Sequence, residues 1–445
     1  MESKIETKTN NLYELNEKPP LSVTITAALQ WFFITISSSL VVPLVIGEMY
    51  GLGSQQLGQF VQQTFFFIGL ASLLQVLFGH RLPITEGPAG MWWGIFVILA
   101  NLGAVAGQAP KEIGQALEMG LILTGIMLIV LSATGFIEKV QKVFTPIVSG
   151  GYLVLLAVSL SGSFMKGMLG IDYYSKGSGV QPELAAVSLG IVFVTFMMIA
   201  SRFKYVRSFA ILISMIIGWL IYIVMDWSKP LQETHSVFAL PELFFWGTPV
   251  FHLGTVLTSL ITGLILITNL IASIAVVSHV VGANPGKKEY KQGGILTGAA
   301  HILSGAGGIV GLVPLSISAG VIQVSRIASR LPFIISSIFL MVLGVLPSVS
   351  RILAGLPSPI GYAVMFVSFT QLLGFGLRDF GRVIFDERNI FIVGFGLMGG
   401  IGLMFVPAQA LQGLPPIFGY IFGNGLVVGV LLIIFMEQVV FRKKA

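Results

Sequence analysis

The chain alternates between long apolar runs and short polar joints. Continuous apolar stretches fall at 22–46, 58–78, 83–101, 115–136, 143–162, 183–200, 208–226, 250–280, 293–312, 314–329, 331–347, 359–377, 389–406 and 416–440. Most of them reach or approach the roughly 20 residues that a helix needs to cross a bilayer core. Membrane strands would alternate apolar and polar positions in units of about ten residues, and these runs do not alternate. In hydrocarbon every backbone N–H and C=O needs an internal partner. The pattern therefore predicts an all-α integral membrane protein of about fourteen transmembrane helices.

Composition sharpens this picture. Apolar residues make up 55% of the chain and charged residues only 10%, against about 25% charged in a soluble domain. A large soluble enzyme is thereby excluded. The 53 glycines suit close approach of helices in lipid. Cysteine is absent, so disulfide and thiol chemistry drop out. Residues 1–21 are polar and lack an apolar core, so the first span is expected to act as the insertion signal. The net charge of +6 is a topology signal rather than a nucleic-acid footprint. With the N-terminus inside, cytoplasmic segments hold 20 Lys and Arg and outer segments hold 5, together the 25 of the chain. The positive-inside rule then sets both termini in the cytoplasm, with a bacterial inner membrane as the expected location.

Fourteen spans divide as seven plus seven, which gives halves of opposite orientation, an inverted repeat. Thr145 to Ser159 opens the fifth span and Ser358 to Thr370 the twelfth, each with a Ser/Thr-Pro start. Spans three and ten are interrupted. The third holds Leu82 to Gly94, including Gly87 and Pro88, and the tenth holds Gly311 to Gln323, including Pro314. Proline removes a donor and clashes with the preceding turn, and serine competes for backbone bonds. Irregular backbone at membrane depth survives only where protein or a wet cavity covers it. Broken spans at matching places point to a midplane binding site for a planar hydrogen-bonding solute or an anion.

Several residues in these segments carry candidate chemistry. Glu86 lies in the broken part of span three, and an intramembrane carboxylate marks a functional site by default. It is a candidate for solute contact and proton coupling; the competing role is a shallow ion pair with Arg81. Asn269, mid-span in the longest apolar run, offers donors and an acceptor that complement a base edge, or an interhelical bond. Trp92 offers a ring for stacking, while Met91 and Trp93 serve as contacts or packing. Ser316, Ser318 and Gln323 offer polar contacts from span ten, and Gly320 permits close approach of a solute. His252, His279 and His301 read as interfacial or structural. No metal-ligand spacing, phosphate loop or catalytic set is visible, so no cofactor, metal or enzymatic activity is expected.

With these residues in view, the chain resembles the nucleobase–ascorbate transporters, the second nucleobase:cation symporter family. The resemblance rests on Glu17 to Pro20, Leu29 to Leu44, Thr145 to Gly162, Phe238 to Pro241 and the broken tenth span, in order along nearly the whole chain. It implies a core of spans 1–4 (22–136) and 8–11 (250–347), and a gate of spans 5–7 (143–226) and 12–14 (359–440). Cytoplasmic tails cover 1–21 and 441–445. It also implies short antiparallel strands in spans three and ten, with the base held between them and span eight. The implied activity is secondary transport of a nucleobase, a purine such as xanthine favoured over uracil, by alternating access with a co-transported proton. The implied partners are the solute, the lipid bilayer and a second copy of the chain, with no nucleic acid. The chain departs from the family at its grip. Gln30 matches the first-span pair, but Trp31 replaces its histidine. Asn269 stands where span eight supplies a glutamate, and Gly320 where span ten supplies an acid or amide. Trp92 matches the third-span aromatic. The rival expectations are facilitated transport without a coupling ion, and an anion transporter of the sulfate-permease architecture.

Overall fold

The computed structural model describes residues 11–105, 107–135, 143, 145–174, 177–203, 206–207, 209–228, 236–407, 410 and 422–442. Most of the described chain is helical. Parts of the expected tails, the joint at 136–142 and the beginning of the last expected span lie outside the described residues.

The first apolar run forms α1 (Leu21–Ser39) and α2 (Val41–Met49), nearly continuous across Leu40. Then come α3 (Ser54–Phe78), a three-residue strand β1 (Glu86–Pro88), α4 (Gly90–Val105) and α5 (Pro110–Thr134). These are followed by α6 (Pro146–Met168), α7 (Pro182–Ile199) and α8 (Ala210–Val224). The rest of the chain folds as α9 (Leu253–Val281), α10 (Lys287–Ala306), β2 (Leu312–Pro314), α11 (Ile317–Ser325) and α12 (Arg330–Leu343). It ends with α13 (Pro347–Ala354), α14 (Ser358–Phe380), α15 (Glu387–Met404) and α16 (Gly425–Phe435).

Local chemistry sets several of these limits. Proline sits in the first turn of α5, α6, α7, α13 and α14, where its missing N–H would have no partner anyway. The Thr145 hydroxyl caps α6, Asp386 caps α15 and Asn424 caps α16. Gly135 and Gly282 close α5 and α9 in the left-handed conformation, which a Cβ would strain.

Seven described helices, with α1 and α2 counted as one, are long and apolar enough to cross a membrane, and the α12–α13 pair, bent by 88° at its break, is long and apolar enough when its two helices are taken together. Shorter apolar helices add α4, α8 and α16. The stretch 314–329, expected as the interrupted tenth span, holds a strand end, one nine-residue helix and an extended exit. Pro314 has no N–H to give to helical bonding, and Arg326 at φ +60° turns the chain out of α11.

The helices pack in two groups. In one, α5 packs on α10 and α9, and α12 packs on α3 and α1. In the other, α6 packs on α14, α15 and α16, while α14 also holds α7 and α8. Glycine sets the closest crossings. A Cβ on Gly125 of α5 would stand 2.5 Å from the carbonyl oxygen of Gly298 on α10, and one on Gly298 would stand 2.6 Å from that of Gly125. Small residues allow this approach where lipid gives no hydrophobic drive to associate.

Candidate functional site

The two interrupted segments meet. β1 and β2 pair antiparallel, with Glu86 opposite Pro314, Gly87 opposite Val313 and Pro88 opposite Leu312. Backbone bonds extend the ladder at both ends: Ala89 N–H donates to the Gly311 carbonyl at 3.0 Å and Leu315 N–H to the Thr85 carbonyl at 2.9 Å. All six strand residues are buried. A two-stranded ladder leaves outer groups without partners, and side chains from the surrounding helices supply them. The Ser72 hydroxyl of α3 accepts from Glu86 N–H at 2.9 Å, and Ser318 of α11 accepts from Thr85 N–H at 3.0 Å. Asn269 and Ser273 of α9 both donate to the Pro314 carbonyl, at 3.0 and 2.9 Å. α4 starts two residues after β1 and α11 three residues after β2. Their N-terminal ends, each carrying partial positive charge, therefore converge on the ladder.

The expected site residues divide by placement. Ser316, Gly320 and Gln323 are exposed at helical spacing on one side of α11, and a Cβ built on Gly320 would meet no atom within 4 Å. Open space thus borders that side. Ser318 faces the other way, into the ladder. Asn269 is half-buried and holds β2. Met91 is half-buried against the core. Gln30 is half-buried, and its amide nitrogen has no partner. Trp31 packs edge-to-face on Phe333 at 5.0 Å and ties α1 to α12.

Two expectations are corrected. Trp92 offers no free ring to a flat solute: it is 0% exposed, and its indole N–H donates to His301 Nε2 at 2.8 Å. His301 in turn contacts the Thr297 carbonyl through Nδ1 at 2.8 Å. Indole is only a donor, so Nε2 is an acceptor and the neutral Nδ1–H tautomer is fixed. Glu86 does not pair with Arg81, which is exposed. Its carboxylate lies 3.7 Å from His80 Nε2, both side chains fully buried.

The sequence reading missed several groups. His80 sits six residues before Glu86, in the same broken stretch, and that proximity was its only signal. Glu118 of α5 accepts from Trp246 N–H at 3.1 Å, in a knot closed by Trp246 Nε1–H on the Gly308 carbonyl at 2.7 Å. Ser72 and Ser273 look like ordinary small residues in an apolar helix, and nothing local marks them.

A cleft of about 780 Å³ lies elsewhere, lined by Glu48 of α2, Asn101 of α4, Ser163 and Lys166 of α6 and Tyr362 of α14, with Asp172. Asn101 lies eight residues beyond Trp93 on α4, about 12 Å along the axis. At Trp93 the helix is closed by aromatic contacts: Trp93 meets Phe164 at 4.9 Å and Phe369 at 5.0 Å, and those two meet at 5.0 Å.

Comparison with known proteins agrees with this arrangement. Among solved structures, the transmembrane domain of the cyanobacterial bicarbonate transporter BicA matches with a TM-score of 0.62 at 15% identity, covering 94% of this chain and 97% of that one. SLC26A9 matches with a TM-score of 0.64 at 12% identity, covering 95% and 66%. These likenesses speak for the fold alone. In sequence, the permease YwdJ of Bacillus subtilis is 36% identical over 417 residues, covering 92% of this chain and 94% of YwdJ. The uric acid permease PucK of the same organism is 27% identical, covering 90% and 91%. Its xanthine permease is 24% identical, covering 91% of each. With the model of the Permease family matched across residues 22–409, this integral membrane protein belongs to that family, the nucleobase–ascorbate transporters.

Proposed function

We propose that the chain is a purine-type nucleobase permease working by alternating access with proton symport. The observation that carries this reading is the β1–β2 ladder, built from two broken spans and flanked by two helix N-termini. Such a ladder offers fixed backbone and amide groups to a planar polar solute. On this reading the solute lies along Ser316, Gly320 and Gln323 of α11, with Asn269, Met91 and the amide of Gln30 beside it. Glu86 serves as the coupling carboxylate, and Ser318 supports the ladder. The xanthine and uric acid permeases among the relatives support a purine over uracil.

The same reading takes the chain as fourteen spans in a seven-plus-seven inverted repeat, with both termini in the cytoplasm of a bacterial inner membrane. Helix packing supports the repeat. Exchanging the halves turns the α5–α10 contact into α12–α3, α5–α9 into α12–α1, and α7–α14 into α15–α6. The helices around the ladder (α1–α5, α9–α13) would form the core, and α6–α8 with α14–α16 the gate, assembled as a homodimer.

The test is uptake of labelled xanthine and urate into proteoliposomes, with and without an inward proton gradient, in competition with uracil and bicarbonate. Saturable uptake that xanthine blocks and bicarbonate does not is the expected result. Competition by bicarbonate alone refutes the nucleobase assignment in favour of an anion transporter. Equal rates with and without the gradient refute symport in favour of facilitated transport.

A further inference from the structure

The strongest unexplained feature is a buried acid–imidazole pair behind the ladder. Alternation along β1 turns Glu86 toward α3, while Thr85 and Gly87 turn toward α1. Thr85 Oγ1 lies 3.5 Å from Thr35 Oγ1, and Ser39 Oγ lies beside Gly87. Both carboxylate oxygens of Glu86 are buried without a hydrogen-bond partner. The nearest basic group is His80, 3.7 Å away and fully buried. Leu82 N–H donates to His80 Nδ1 at 3.1 Å. Nδ1 is therefore an acceptor, and the neutral ring carries its proton on Nε2, the atom facing Glu86.

The surroundings are otherwise nearly free of charge. α3 contributes Ser72 and Gln75, whose side-chain oxygen accepts from His80 N–H at 3.4 Å. α10 contributes Gly293, packed against the His80 Cβ. The charged groups on this side are Arg330, at the start of α12, whose charge acts on His80, and the exposed Arg81 beside it. An ionised carboxylate with no donor in a dry interior is too costly to persist. At 3.7 Å the His80 N–H does not reach it as a hydrogen bond.

We infer that His80 and Glu86 form one proton-loading site on the α3 side of β1 and that this site carries the coupling proton. The inference rests on the symport reading above. In the loaded state Glu86 is a carboxylic acid, and His80 stays neutral with its N–H 3.7 Å away, as in this structure. On unloading, the acid gives its proton to water on one side of the membrane. His80 Nε2–H then swings in to donate to the carboxylate, closing to about 2.8 Å. Proton uptake reverses both moves. Because Glu86 is a rung of β1 opposite Pro314, loading changes the strand that fronts the solute.

Two readouts on the reconstituted full chain test this. The first is infrared difference spectroscopy across a pH titration. A carboxylic-acid C=O band that disappears in Glu86→Gln, and titrates at a different pH in His80→Gln, is expected. A wild-type spectrum with no band that Glu86→Gln removes overturns the site, whatever the solute proves to be. The second is the ratio of uptake with and without a proton gradient. It should fall to about one in Glu86→Gln; a variant that keeps the wild-type ratio overturns the coupling role. Glu86→Gln keeps the side-chain volume and the Ser72 bond to its backbone. If it nevertheless fails to fold, Glu86→Asp is expected to keep the band at a shifted position, and an unchanged band overturns the assignment. If wild-type protein moves no nucleobase, the functional proposal fails while the infrared result still decides the pair.

Discussion

The Pro314 carbonyl lends itself to a double-mutant cycle. It is buried, it belongs to a residue with no N–H of its own, and Asn269 and Ser273 each donate to it. Asn269→Ala or Ser273→Ala removes one bond and leaves the other. A single hydrogen bond contributes about 1 kcal/mol net, and cycles between membrane helices average about 0.6 kcal/mol. Each single variant is therefore expected to lose about 0.6–1 kcal/mol. The double variant strands a buried acceptor, which costs about 1–3 kcal/mol beyond the two lost bonds. The cycle should show a coupling of about 1–3 kcal/mol, above the roughly 0.3–0.5 kcal/mol scatter of independent sites. Equilibrium unfolding in mixed SDS micelles measures the four stabilities. Additivity within that scatter refutes the shared-acceptor argument. In uptake assays Asn269→Ala should raise KM more than Ser273→Ala, since Ser273 is fully buried; equal shifts would remove Asn269 from the solute face.

Three further outcomes follow from packing and polar satisfaction. Gly125→Val should abolish folded yield, because its Cβ would stand 2.5 Å from the Gly298 carbonyl oxygen, whereas Gly162→Ala, with no atom within 4 Å, should elute normally from size exclusion. Phe164→Ala should lose about 3–5 kcal/mol in SDS unfolding and raise passive solute leak in proteoliposomes, since it removes the contact of Phe164 with both Trp93 and Phe369. Glu118→Gln keeps an acceptor for Trp246 N–H and should hold stability within about 1 kcal/mol, while Glu118→Leu leaves that donor bare and should lose about 1–3 kcal/mol more in the same unfolding assay.

The sequence by itself determined the membrane class, most helix positions and the two places where the helix had to break. Each follows from local rules: apolar length sets a span, and Pro88 and Pro314 cannot sustain helical bonding. It also marked Ser316, Ser318, Gly320 and Gln323, but not that Ser318 faces the ladder while the other three share the exposed side of α11. What the tertiary structure alone decided is what each broken backbone pairs with. Glu86 and Pro314 are rungs of one ladder although the whole of α4 to α10 separates them in the chain, and no local pattern encodes such a partner. The same holds for side chains whose role depends on what lies opposite. Trp92 resembles a stacking residue until folding buries its whole ring, and Glu86 resembles a partner for Arg81 until the turn before β1 brings His80 to it instead. Burial and pairing are properties of the far side of a contact, and that side is supplied only when the chain folds back on itself.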